Sequence, residues 1–255
     1  RYEEYYHYLD GSEDWMNATY NMLYYDLRNA NCPTNLDTVI LPSEVDGEKV
    51  EGIRYNAFQD VWGVNAQKAN IKQLIIPEGT LVLAEQSLTN RGISSVVLPN
   101  TLILIGYSAL SKNNLASIDI PGSVHTIGSY AFQTNHLSEL EFKEGLIKIG
   151  QGSFEGNQLK SVIISDTVTT IGNSAFGYNA KNIKSVKLGK NIKIIGSNAF
   201  ADNQITEIEL PEGLVEIGSY AFADTENLEN VTLPNSLKII EEGAFINGHL
   251  KKISI

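Results

Sequence analysis

The sequence is short of the residues from which most chemical sites are built. It holds one cysteine in 255 residues, Cys32, so no internal disulfide can hold the fold and no paired-cysteine metal motif exists. Cys32 would act as a nucleophile only with a convergent histidine. It precedes Pro33, where a packed or solvent-exposed thiol is the expectation. The four histidines, His7, His125, His136 and His249, are scattered. No H-E-x-x-H, G-x-S-x-G or phosphate-loop motif occurs. Positive charge is scarce too. Lys and Arg number 19 against 30 Asp and Glu, a formal net charge of −11. That argues against nonspecific nucleic-acid binding, which needs cations to displace the counterions of phosphates, and against a polybasic membrane surface. No run approaches the ~18 consecutive apolar residues of a membrane span, so no direct membrane insertion is expected. The opening RYEEYYHYLD carries no apolar signal core. Asn17-Ala18-Thr19 and Asn230-Val231-Thr232 fit the glycosylation pattern, which often arises by chance.

What is present is apolar material for a core, 42% of residues, arranged with a period. A small residue followed by a large apolar one recurs as Ala57-Phe58, Ser87-Leu88, Ala109-Leu110, Ala131-Phe132, Ser153-Phe154, Ala175-Phe176, Ala199-Phe200, Ala221-Phe222 and Ala244-Phe245. The large members are 30, 22, 22, 22, 22, 24, 22 and 23 residues apart. The 24 reflects two extra residues around Asn179-Ala180-Lys181-Asn182, and the 30 an insertion in Gln59–Asn70. The unit reads L-x-x-I-x-L-P-x-x-L-x-x-I-G-x-x-A-F. Nine copies run from Leu36 to about Gly248, and a tenth strand follows Leu250.

Each position has a physical role. Ile208 and Leu210 alternate at period two, which predicts a short strand with both side chains inward and Glu209 outward. Pro211 offers no N–H to continue the pairing. Glu212-Gly213 makes a turn, and Leu214 and Ile217 return to the core. The glycines at 106, 128, 150, 172, 196 and 218 imply a positive φ or a close approach between coils. The recurring phenylalanines predict a stacked column, each ring contributing roughly 1.5–3 kcal/mol on burial. Asparagine recurs shortly after the large apolar residue, at 90, 113, 135, 157, 179 and 203. An internal ladder bonding the backbone of adjacent coils accounts for it better than a binding stripe does. One coil cannot bury its own apolar face but a stack can, so the fold predicted is a repeat solenoid, mostly β and turns with few helices. At roughly 4.8 Å per strand, ten strands make a parallel sheet about 43 Å long.

A unit with proline after the strand, an I-G pair and an A-F pair resembles the BspA-type leucine-rich repeats. The first copy, Val39-Ile40-Leu41-Pro42-Ser43-Glu44-Val45-Asp46-Gly47-Glu48-Lys49-Val50-Glu51-Gly52-Ile53, is similar to that family's entry coil, with a short Asp-Gly turn inserted. The resemblance covers Leu36–Ile255 and implies a leucine-rich repeat with a parallel concave β-sheet. It also implies a bacterial protein of the cell surface or extracellular space that acts in adhesion, with no shared catalytic residues. Lys143, Ser165 and Gly189 depart from the proline and Glu241 from the glycine, which affects local turns only.

Residues 36–255 are therefore taken as the solenoid, and residues 1–35, with seven of the twelve tyrosines, as a separate N-terminal segment. Ser12 as a cap and Met16, Tyr20, Leu23 and Leu27 on one face favour a helix covering the first coil. Alternation of Met16, Ala18, Tyr20, Met22 and Tyr24 fits a strand, and the tyrosines also suit a binding patch. The start at Arg1 fits a processed leader or a fragment. The end at Ile253-Ser254-Ile255 lacks a polar cap, so either more chain or another chain is expected there.

The outward strand positions supply the candidate site. Ile40, Ile75 and Val97 form an apolar patch on the first three strands. Asp119, Glu139 and Glu141 place like charges on neighbouring strands, which is costly unless compensated by a basic segment or a divalent cation. Ser117, Ser161, Lys187, Glu207 and Glu209 complete the face. Ordinary solvated charge, and an apolar patch covered by residues 1–35 or by the Gln59–Asn70 insertion, is the competing account. The function expected is a noncatalytic recognition module with a protein or glycan partner, such as a host matrix or cell-surface component, and no cofactor. A structural spacer or assembly element, or a targeting module for an enzyme outside this chain, is the alternative.

Overall fold

The computed structural model describes residues 35–45, 47–54, 70–179 and 181–254. The proposed N-terminal helix or strand, the tyrosine cluster, Cys32, His7, Ala57-Phe58, all of the insertion but Asn70, and Ile255 lie outside the described residues. Among the described residues there is no helix, and the coils form a parallel β-solenoid.

Most coils use two short strands. The first is centred on the inward I of the alternating I-x-L segment, with that residue buried and its outward neighbours exposed, as in Ser95–Val97, Glu139–Glu141 and Ser185–Lys187. The second is the two-residue segment ahead of the recurring glycine. Nine of these, from Gly52–Ile53 to Ile239–Ile240, pair in one uninterrupted parallel sheet. The first strands do not make the single long sheet expected. They form three parallel ladders: Asn35–Ile40 with Asn70–Ile75 and Ser95–Val97, then Glu139–Glu141 with Ser161–Ile163 and Ser185–Lys187, then Asn230–Thr232 with Lys252–Ser254. Residues 117–120 and 207–210 are not paired as strands. Coil spacing persists there, because His136 N–H donates to the Leu115 carbonyl and Gln204 N–H to Ile183, both at 2.9 Å.

The glycine column runs beside the continuous second sheet. None of the six recurring glycines is left-handed; each is a close approach. A Cβ on Gly150 would stand 2.6 Å from the carbonyl carbon of Gly128, and one on Gly172 2.6 Å from that of Gly150. Backbone meets backbone there, so coil spacing is fixed tightly beside the second strands.

Left-handed backbone occurs instead two residues before and two after the large apolar residue, at Ser108 and Lys112 around Leu110, and at Tyr130 and Thr134 around Phe132. Between these bends the phenylalanines stack as expected. Rings 132, 154, 176, 200, 222 and 245 follow one another at 5.2–5.6 Å and within 13° of parallel. Phe142 packs edge-on against Phe154 at 5.5 Å. Burial depends on the next coil: Ile217 and Val231 are buried, whereas Ile240 and Ile253, the last described members of their columns, are exposed. In the first copy Glu44–Val45 pairs antiparallel with Glu48–Lys49, with Gly47 at φ +84°.

The asparagines form the internal ladder. Asn113, Asn135, Asn157, Asn179 and Asn203 are buried, and each side chain bonds backbone groups of its own coil and the preceding one. Asn90 does not join them. It stands two residues after Leu88 rather than three, is exposed, and occupies the left-handed bend at φ +57°. At the equivalent position of a later coil Thr225 takes over, its hydroxyl donating to the Phe222 carbonyl at 2.6 Å.

Candidate functional site

The outward residues of the first strands stand where alternation puts them. Ile40, Ile75 and Val97 are direct neighbours in the parallel register. Ile40 is 68% and Val97 45% exposed, with Ile75 half-buried between them. Three β-branched side chains thus form an apolar stripe at one end of the face.

Ser117 and Asp119 follow, exposed, in the coil that breaks the ladder. The second ladder then presents Glu139 beside Ser161 and Ser185 in one row, and Glu141, Ile163 and Lys187 in the next. Glu207 and Glu209 are exposed in the second unpaired coil. The candidate residues therefore lie along one face but on separate ladders, with a break on either side of the Glu139–Lys187 block.

The acidic group is partly compensated from within the chain. Lys143 Nζ lies 2.5 Å from Asp119 Oδ1. Lys143 is one of the three residues that replace proline, so that departure supplies a cation to the coil before it. A second departure works in the same column. Gly189 packs so closely on the Ser165 carbonyl that a side chain there would collide with it. Beyond it Lys190 donates from Nζ to Asp166 Oδ2 at 2.6 Å and from its backbone N–H to Oδ1 at 3.0 Å. These hydrogen bonds hold the Asp166 carboxyl below its ordinary range. Both ion pairs are solvent-exposed, where such pairs stabilise little. Among the described residues, no three His, Cys, Asp or Glu side chains are placed to hold a metal ion.

One group of surface residues went unread in the sequence. Tyr107, Tyr130, Tyr178 and Tyr220 lie along the A-F bend, Tyr107 and Tyr178 exposed and Tyr130 and Tyr220 half-buried, and all but Tyr107 occupy a left-handed position. For Tyr130, Tyr178 and Tyr220 the signal was a fixed offset from the large apolar residue, two before it or two after, at positions that otherwise hold small or polar residues; Tyr107, three before Leu110, falls outside it.

The BspA-type leucine-rich repeat region model matches the chain in six copies, over residues 63–182 and 152–255. No curated protein matches significantly. Among solved structures, a leucine-rich repeat protein of Bacteroides ovatus is 25% identical, with a TM-score of 0.66 over 86% of this chain and 57% of that one. One from Eubacterium ventriosum is 23% identical, with a TM-score of 0.51 over 69% of this chain and 51% of that one. The leucine-rich repeat protein of T. pallidum is 20% identical, with a TM-score of 0.58 over 77% and 79%. The chain thus spans little more than half the length of the first two. The fold, the repeat spacing and a family match over more than half of the residues agree, and the chain belongs to the BspA-type leucine-rich repeat family.

Proposed function

We propose that this chain is a noncatalytic recognition module, secreted or displayed at a cell surface, that binds a protein partner through its first-strand face. The observation that carries this is the in-register stripe Ile40–Ile75–Val97, exposed beside a row of carboxylates. A patch of apolar side chains rimmed by charge is the layout of a protein contact, with the apolar part supplying affinity and the charges orientation and encounter rate. The complement is a protein segment presenting an apolar side chain flanked by Lys or Arg. Membership of a repeat family, rather than an enzyme family, supports a scaffold role. No helix among the described residues is long and apolar enough to cross a membrane.

The test is binding of the purified chain to an array of extracellular-matrix and surface proteins at two salt concentrations. The triple variant Asp119→Lys, Glu139→Lys, Glu141→Lys is run beside it. A specific hit that weakens in the variant and at high salt supports the proposal. Equal binding by both proteins, or no hit, removes it.

A further inference from the structure

The tyrosines of the rim form a built arrangement rather than scattered surface aromatics. Tyr130 and Tyr220 occupy the same left-handed position of their coils, at φ +59° and +60°. A bulky side chain is poorly suited to that conformation, and elsewhere in the column the position holds residues such as Ser108, Ser174 and Asn198. Each tyrosine is followed, one coil on, by glycine at the same position: Gly152 after Tyr130 and Gly243 after Tyr220. A Cβ on Gly152 would stand 2.5 Å from Tyr130 Cε1, and one on Gly243 2.5 Å from Tyr220 Cε1. Both rings therefore rest against glycine backbone that has been left bare beneath them.

Each hydroxyl is bonded by a side chain of the next coil, one as acceptor and one as donor. Gln151 Nε2 donates to the Tyr130 hydroxyl at 2.8 Å, and the Tyr220 hydroxyl donates to Glu242 Oε1 at 3.3 Å. Gln151 and Glu242 each immediately precede the accommodating glycine. The same three-residue device is thus built twice, four coils apart, which is about 19 Å at one strand spacing per coil. Tyr107 extends the first copy, its ring 5.7 Å from Tyr130 at 79°, and is 41% exposed. Tyr178, 55% exposed on the other left-handed bend of its coil, lies between the two.

We infer that this rim binds an extended glycan, with sugar rings seated on Tyr130 and Tyr220. The ligand class follows from the surroundings. Each ring is a flat apolar surface with an amide or carboxylate at its edge, Tyr220 standing singly and Tyr130 beside Tyr107, and the two are set four coils apart. A sugar ring matches that alternation: its C–H face suits an aromatic ring, and its hydroxyls suit planar hydrogen-bonding groups. Glu155, hydrogen-bonded to Gln133 at 3.1 Å beside Gly152, adds a further carboxylate at the first site. Carboxylates at both sites select neutral or amino-sugar glycans and repel sulfated ones. This inference does not rest on the first-strand face.

The test uses the full chain on an array of neutral, N-acetylhexosamine-containing and sulfated oligosaccharides. The double variant Tyr130→Gly, Tyr220→Gly removes both rings while giving the left-handed positions a residue that suits them, and thermal melting confirms that it folds. The variant Glu139→Lys, Glu141→Lys alters only the first-strand face. Binding to neutral or amino-sugar oligosaccharides is expected, reduced at least tenfold by loss of the rings and unchanged by the charge reversal. Absence of binding across the array, selective binding to sulfated oligosaccharides, or binding that survives the tyrosine variant overturns the inference. So does binding that only the charge reversal weakens, which places the sugar on the other face.

Discussion

Asn157 is bonded to Phe132 of the preceding coil: its Nδ2 donates to the Phe132 carbonyl at 3.0 Å and to its own coil's Phe154 carbonyl at 3.0 Å. Its Oδ1 accepts from the Leu137 N–H at 3.1 Å. One buried amide therefore joins three backbone groups of two coils. The Phe132 carbonyl also accepts from Asn135 Nδ2 and the Phe154 carbonyl from Asn179 Nδ2, both at 3.1 Å, so Asn157→Ala strands the Leu137 N–H and leaves each carbonyl one bond. A loss of about 1–3 kcal/mol in urea unfolding is expected, above that of an exposed asparagine such as Asn90.

Ser153 and Ser87 stand where six other described coils carry alanine, and both are fully buried with no hydrogen-bond partner for the hydroxyl. A buried hydroxyl without a partner is a cost that alanine avoids. Ser153→Ala should stabilise by about 1 kcal/mol, and a thermal melt should rise by roughly 2–4 °C. A decrease would show that the hydroxyl has a partner.

Two glycines separate strain from crowding. Gly156 is left-handed, at φ +69°, and an added Cβ would come no nearer than 3.5 Å to Thr134 Oγ1. Gly156→Ala should cost about 1 kcal/mol, from the backbone alone. Gly150 has ordinary φ but faces the Gly128 backbone at 2.6 Å, so Gly150→Ala should cost about 3 kcal/mol by forcing two coils apart. Equal effects in chemical denaturation would contradict this account of the glycine column.

Phe154 is enclosed by Phe132 at 5.2 Å, Phe176 at 5.6 Å and the edge of Phe142 at 5.5 Å. Phe154→Ala leaves a cavity between stacked rings that the neighbouring coils, held apart by their backbones, cannot close. About 3–5 kcal/mol is the expected loss.

The Asp166 carboxyl is held below its usual value by the bonds from Lys190. Its folded-state pKa lies under its unfolded one, so its stabilising contribution is present above the unfolded value of 3.8 and fades as pH falls through the lower folded value. A carboxyl NMR titration should place Asp166 below 3.8. Lys190→Ala should bring it back toward that value.

The repeat made most of the fold legible. The A-F offsets, the I-x-L alternation and the asparagines predicted the phenylalanine stack, the buried strand residues and the ladder, because each is a nearest-neighbour contact that a 22-residue spacing repeats. The glycine column was legible only as two alternatives, since a glycine code letter is the same whether φ or space demands it. The acidic residues were legible as a row, but not the Lys143–Asp119 pair. Lys143 registered only as a missing proline, because spacing along a chain does not say where a long side chain reaches.

By itself the sequence determined the solenoid, its period, and which side chains face inward, since alternation and burial follow from residue order once coils stack. Only the tertiary structure decided which strand column runs unbroken and which glycines are crowded. It also decided which tyrosines rest on bare backbone one coil away. Those are distances between coils, set where Gly128 meets Gly150 and Tyr130 meets Gly152, and a linear order of residues does not contain them.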